Sequence, residues 1–136
     1  MITNYDIQVN IDGKNYPIID AEAQKSLVYS QNEIDTGKVW IDGKKIYRKV
    51  INCGALPNNS IKKVPINITN INEIIDLIVT ASSSADKLTI SLPFINRDGA
   101  VVTAYEQGDE IILGANVDVS YYEICFAVLE YTKTTN

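Results

Sequence analysis

The sequence predicts an all-β protein: an antiparallel β-sandwich of jelly-roll-like type, preceded by a short N-terminal hairpin and helix segment. Three observations carry this expectation. Apolar residues recur mainly with period two, turn signals separate many short runs, and the longest apolar run, 121–132, is apolar on both faces until Glu130. The last is the pattern of a strand near the middle of a sandwich. A chain of 136 residues suits one domain and buries enough surface to fold without a metal or a cross-link.

Each element has its own local reason. Ile7, Val9 and Ile11 alternate with polar neighbours, as in a half-buried strand. Asp12-Gly13 follows, a two-residue hairpin signal, because both central residues of a type I′ turn need positive φ. The return strand is 16–19, and Pro17, without a backbone donor, places it at an edge. Asp20 then caps a short helix over 21–25. The same logic predicts a second hairpin, with 38–41 leading into Asp42-Gly43 and 45–51 leading out. Residues 54–60 hold Gly, Pro and two Asn and form a loop.

Val64, Ile66 and Ile68 face one way along the next strand. The stretch 70–79 is ambiguous. Ile71, Ile74, Ile75 and Ile78 fall at helical spacing behind a capping Asn70, yet isoleucine is β-branched and favours strand. A helical turn near Glu73 running into a strand over 76–81 reconciles the two signals. Ser82-Ser83-Ser84 is a polar loop. Leu88, Ile90 and Leu92 alternate until Pro93 ends the strand, and turns at 96–99 and 107–109 bound two further strands, 100–105 and 110–113. No linker divides the chain. The expected organisation is a mount of residues 1–26 and a sandwich of residues 27–136.

Composition limits the chemistry. The chain has no histidine, which removes His-based triads, most zinc sites and histidine switches. The formal charge of -5 argues against nucleic-acid partners. No apolar run is long enough to insert into a membrane, and the start MITNYDIQVN has no signal-peptide pattern. GxSxG, P-loop and GxGxxG motifs are absent. Asp109 with Glu110 and Asp118 near Glu123 are weighed as glycosidase carboxylates, and Asp109-Glu110 and Asp98 as calcium ligands on turns. Solvated turns explain them more simply. The expectation is a binding or structural module, not an enzyme, with no cofactor and no metal.

The cysteines, Cys53 and Cys125, have no CxxC spacing. They read as buried thiols in a protein assembled in a reducing cytoplasm, with a mutual disulfide as the alternative. Lys44, Lys45, Arg48, Lys49, Lys62 and Lys63 form a basic cluster split between strand faces, which protects an exposed edge or meets an anionic polymer. Eight tyrosines against two phenylalanines favour surfaces that stack on sugars or on subunits. Trp40, Tyr47, Tyr105, Tyr121 and Tyr122 are the contact candidates.

The run Val39-Trp40-Ile41-Asp42-Gly43-Lys44-Lys45-Ile46-Tyr47-Arg48-Lys49, with Tyr29-Ser30 before it, Gly54-Ala55-Leu56-Pro57-Asn58-Asn59 after it and the ending Leu129-Glu130-Tyr131-Thr132-Lys133-Thr134-Thr135, resembles a β-sandwich module of bacteriophage structural proteins. That module recurs at the C-terminal ends of tail fibres and receptor-binding proteins. The resemblance covers about residues 27–136 and implies a virion location, a homotrimer and contacts with other virion structural proteins. It also implies display to a host-surface glycan or protein. No collagen-like, heptad or β-helix repeat supplies a shaft, so the chain looks like the tip module on a short mount. A head fibre, capsid decoration or baseplate accessory without receptor binding is the alternative.

Overall fold

The structure is a computed structural model that describes residues 8–17 and 27–135. Its strands are β1 (Gln8–Ile11), β2 (Lys14–Pro17), β3 (Ile34–Val39), β4 (Lys45–Asn52), β5 (Ile61–Pro65), β6 (Ile71–Ser83), β7 (Leu88–Leu92), β8 (Phe94–Ile95), β9 (Val101–Gln107), β10 (Glu110–Ala115) and β11 (Ile124–Lys133). The described residues contain no helix. β1 and β2 form their own two-stranded sheet. The others make a five-stranded sheet, β3-β4-β11-β6-β7, and a four-stranded sheet, β5-β10-β9-β8. All pairings are antiparallel and the two larger sheets pack together as a sandwich. β4 pairs with β11 in one sheet and β5 with β10 in the other, so a double ribbon wraps from face to face.

Period two decides which residues enter the core. Ile51, Val79, Ala81, Ala127 and Leu129 come from the five-stranded sheet; Val64, Val102, Ile111 and Leu113 face them from the four-stranded one. Loop residues Leu56, Ile66, Ile68, Val119 and Tyr122 close the ends. Val64, Ile66 and Ile68 are all buried, as their alternation requires. β11 lies in the middle of its sheet; on its outer face Ile124 and Phe126 point out to solvent at the start of the strand, whereas Thr132 near its end is fully buried. The outer face carries Val50, Val128 and Ile78 in one cross-strand row and Asn52, Phe126 and Thr80 in the next.

The first Asp-Gly turn forms as expected, with φ of 52° at Asp12 and 79° at Gly13. The helix expected at 21–25 lies outside the described residues, as do parts of the proposed mount. The second Asp-Gly is a different turn. Only Gly43 has positive φ, 86°, and the bonds Gly43 N–H to Trp40 C=O (2.9 Å) and Trp40 N–H to Lys44 C=O (2.8 Å) enclose a three-residue loop. This is a type I turn followed by a left-handed glycine. The preceding strand therefore begins earlier than 38–41, and it bulges between Asp35 and Val39. A bulge on an edge strand blunts it against pairing with other chains.

The stretch 70–79 contains no helical turn; β6 is a single long strand. Its register with β11 slips twice: Tyr131 pairs Ile74 after Glu130 pairs Asp76, and Lys133 pairs Ile71 after Thr132 pairs Glu73. Ile75 and Asn72 are the extra residues. Each bulge adds one position to the inward phase, so Ile71, Ile74 and Leu77 pack on the core at spacing three while Ile78 is 53% exposed.

Candidate functional site

An open concavity lies at one end of the sandwich. After β5 the chain crosses between the sheets through 66–70. Ile66 and Ile68 anchor this segment in the core, and Asn67 and Asn70 turn it with φ of 58° and 61°. Asparagine tolerates this left-handed backbone better than most residues. Ile66 N–H donates to the Asp109 carbonyl (2.9 Å) and Thr134 N–H to the Asn70 carbonyl (2.8 Å). The crossing is thereby tied to the β9–β10 hairpin and to the segment after β11.

Between the start of β6 and that hairpin is an open cleft of about 480 Å³. Ile71 and Ile74 supply apolar wall, continuous with the core. Asn70, Asn72, Glu106 and Asp109 supply the polar rim. Asn72 Nδ2 donates to Thr132 Oγ1 (3.1 Å), which leaves the amide oxygen as an acceptor. Amides and carboxylates beside an apolar surface can exchange hydrogen bonds with a hydroxyl-rich ligand while its less polar face packs on the isoleucines. Among the described residues no group of three or more His, Cys, Asp or Glu stands together as a metal site.

A smaller cleft, of about 360 Å³, lies between β4 and β5 and includes Gln31, Lys49, Asn52 and Asn67. Lys49 Nζ donates to the carbonyls of Ile66 (3.1 Å) and Asn67 (3.2 Å), so its charge already bridges the sheets. Three other members of the basic cluster are similarly engaged. Arg48 is buried against Glu130, Lys62 Nζ donates to the Ala55 carbonyl (2.8 Å), and Lys45 lies 3.7 Å from Asp35.

The five aromatic candidates do not converge. Trp40 is half-buried in the β3–β4 loop. Tyr47 points inward, stacked on Tyr131 with centroids 6.1 Å apart and with Lys133 Nζ 5.3 Å from its ring. Tyr105 is 46% exposed on the outer face of the four-stranded sheet, in a row with Ile112 and Lys63. Tyr121 is 51% exposed, whereas Tyr122 is a core residue at 4%. The two rings lie 4.6 Å apart at the turn before β11. Burial pushes the Tyr122 phenol above its ordinary value, with the Tyr121 contact adding to it. As surface contacts, Tyr47 and Tyr122 are therefore replaced by their packing roles. Among the described residues, no aromatic ring lines either cleft.

Sequence reasoning missed Asn70, Asn72 and Glu106 as rim residues. The available signal is three asparagines, at 67, 70 and 72, set among Ile66, Ile68, Ile71 and Ile74; reading Asn70 as a helix cap hides it. No family model, curated protein or solved structure matches the chain. What the structure shows is an antiparallel two-sheet sandwich with an open cleft that carries polar groups at its rim.

Proposed function

We propose that this chain is a bacteriophage virion structural protein of tail-fibre or receptor-binding type, a homotrimer whose sandwich binds a host-surface glycan without transforming it. The observation that carries the glycan assignment is the end cleft, with isoleucine wall and Asn70, Asn72, Glu106 and Asp109 at its rim. Sugar hydroxyls take both donors and acceptors from such groups, and C–H faces take the apolar wall. The virion assignment is supported by the resemblance over Val39–Lys49 and the C-terminal ending, which here form the β3–β4 hairpin and the end of β11. Exposed Ile78, Ile124 and Phe126 on one outer face supply apolar area for contacts between subunits.

A purely structural virion component is the second reading. Among the described residues no aromatic ring lines either cleft for stacking on a sugar, which favours it. The test is mass in solution followed by binding to isolated bacterial cell walls. The expected result is a trimer that binds, and that loses binding in Asn72→Ala with Asp109→Ala while its mass and circular dichroism are unchanged. Undiminished binding by that variant removes the cleft from the site. No binding by the native protein, with stable association to another virion component, selects the structural reading.

A further inference from the structure

Cys53 directly follows β4, and Cys125 is the second residue of β11. The pairing of Asn52 with Phe126 sets the next two residues, Cys53 and Cys125, opposite one another. Their backbones are joined by a bond from Cys53 N–H to the Cys125 carbonyl at 2.8 Å. Opposed residues of a hydrogen-bonded antiparallel pair have Cα atoms about 5.5 Å apart. Disulfides span about 4.4–6.8 Å. Both thiols belong to the core between the sheets, and both are free.

The surroundings make the two sulfurs unequal. Lys62 Nζ reaches the Ala55 carbonyl and lies 3.2 Å from the point where a Cβ on Gly54 would sit, beside Cys53. The hydrogen bond with Cys125 lowers the Cys53 thiol below its ordinary value; burial opposes this and the Lys62 charge assists it. The same thiol contact, together with burial, pushes Cys125 up. Cys53 is the better nucleophile and Cys125 the resolving partner.

We propose that Cys53 and Cys125 are a peroxide-responsive dithiol that closes to a disulfide and covalently joins the end of β4 to β11. The Cys53 thiolate attacks one oxygen of hydrogen peroxide; the O–O bond breaks, leaving Cys53 sulfenic acid and hydroxide. The Cys125 sulfur then displaces the sulfenic hydroxyl and the S–S bond forms. That hydroxyl leaves with a proton as water, and the first hydroxide takes the other. Two thiols and one peroxide give one disulfide and two waters, with two electrons passing from sulfur to oxygen. Both thiols are buried, at 2% and 0% exposure, so a small oxidant is the one to use. The bond would stay open in a reducing cytoplasm and close in an oxidising exterior.

The test uses the full reduced chain treated with hydrogen peroxide. The expected result is a mass loss of about 2 Da, a Cys53–Cys125 cross-linked peptide, and a Tm raised by about 10 °C. Dithiothreitol should reverse all three. Cys125→Ser should stop at a gain of about 16 Da on Cys53, and Cys53→Ser should leave Cys125 unmodified. If a variant fails to fold, the mass and peptide map of the native chain decide alone. Unreacted thiols, over-oxidation without a cross-link, or disulfide-linked dimers would each overturn the proposal.

Discussion

Removing either end of the Arg48–Glu130 pair should destabilise the sandwich more than removing both. Arg48 is 5% exposed on β4. Its Nη2 and Nε donate to Glu130 Oε2 at 2.6 and 2.9 Å, its Nη1 to the Val28 carbonyl at 3.2 Å, and its guanidinium sits 4.6 Å from the Tyr29 ring centroid. Lys38 Nζ holds the same carboxylate at 2.9 and 3.1 Å. Breaking a buried pair from one side costs about 3–5 kcal/mol, because the remaining charge is stranded. In Arg48→Met, Lys38 still faces Glu130, so the expected loss is smaller, about 2 kcal/mol. In Glu130→Met the guanidinium loses this carboxylate, and the expected loss is about 3 kcal/mol. With Met at both positions no guanidinium or carboxylate is stranded, and most of the loss should be recovered. Urea titrations of the four proteins, compared at a common m-value, give the coupling energy. Single-variant losses below about 0.5 kcal/mol, or a double variant equal to the sum of the singles, would refute the argument. Acid supplies an independent check. Burial pushes the Glu130 carboxyl up, but the hydrogen bonds and charges of Lys38 and Arg48 together outweigh it and hold the group below its ordinary value. Its stabilisation is therefore present above the unfolded value of about 4.3 and is lost as pH falls towards the lower folded value. Glu130→Gln should flatten that acid limb of the stability profile.

Three further outcomes test the faces and turns. Leu129→Ala, at a fully buried inward position, should cost about 3 kcal/mol by denaturant titration; Ile78→Ala, on the outer face of the neighbouring strand, should stay within about 0.5 kcal/mol. Comparable losses at Ile78 and Leu129, measured at concentrations where the chain is monomeric, would contradict the β6 register. Gly43→Ala meets no atom within 4 Å but must adopt φ of 86°, so it should lower stability by about 1 kcal/mol through backbone strain alone; an unchanged midpoint would mean the turn relaxes. Tyr131→Phe removes the hydroxyl that donates to Glu33 Oε2 at 2.6 Å and should cost about 1 kcal/mol; no change would show that water substitutes for the bond.

The fold was legible wherever side-chain alternation ran undisturbed. Val64, Ile66 and Ile68 declared their buried face, and Asp12-Gly13 declared its turn. Over 70–79 the signal failed for a physical reason: two inserted residues, Asn72 and Ile75, stretch the inward spacing from two to three, which imitates a helix. Asp42-Gly43 misled because a dipeptide does not state which of its residues takes positive φ. The candidate cleft was hidden for another reason. Its walls are more than thirty positions apart in the chain, and only the crossing at 66–70 brings them together. Tyrosine abundance pointed to surface, yet Tyr122 and Tyr131 spend their rings on packing.

The placement of β11 has a consequence for biosynthesis. It is the last strand in the described chain, yet it pairs with both β4 and β6. Until residues 124–133 have left the ribosome, those earlier strands present open hydrogen-bonding edges with no partner of their own chain between them. Such edges recruit neighbouring nascent chains. Prematurely terminated chains should therefore be found in inclusion bodies, and productive folding must wait for the complete sandwich sequence to be translated.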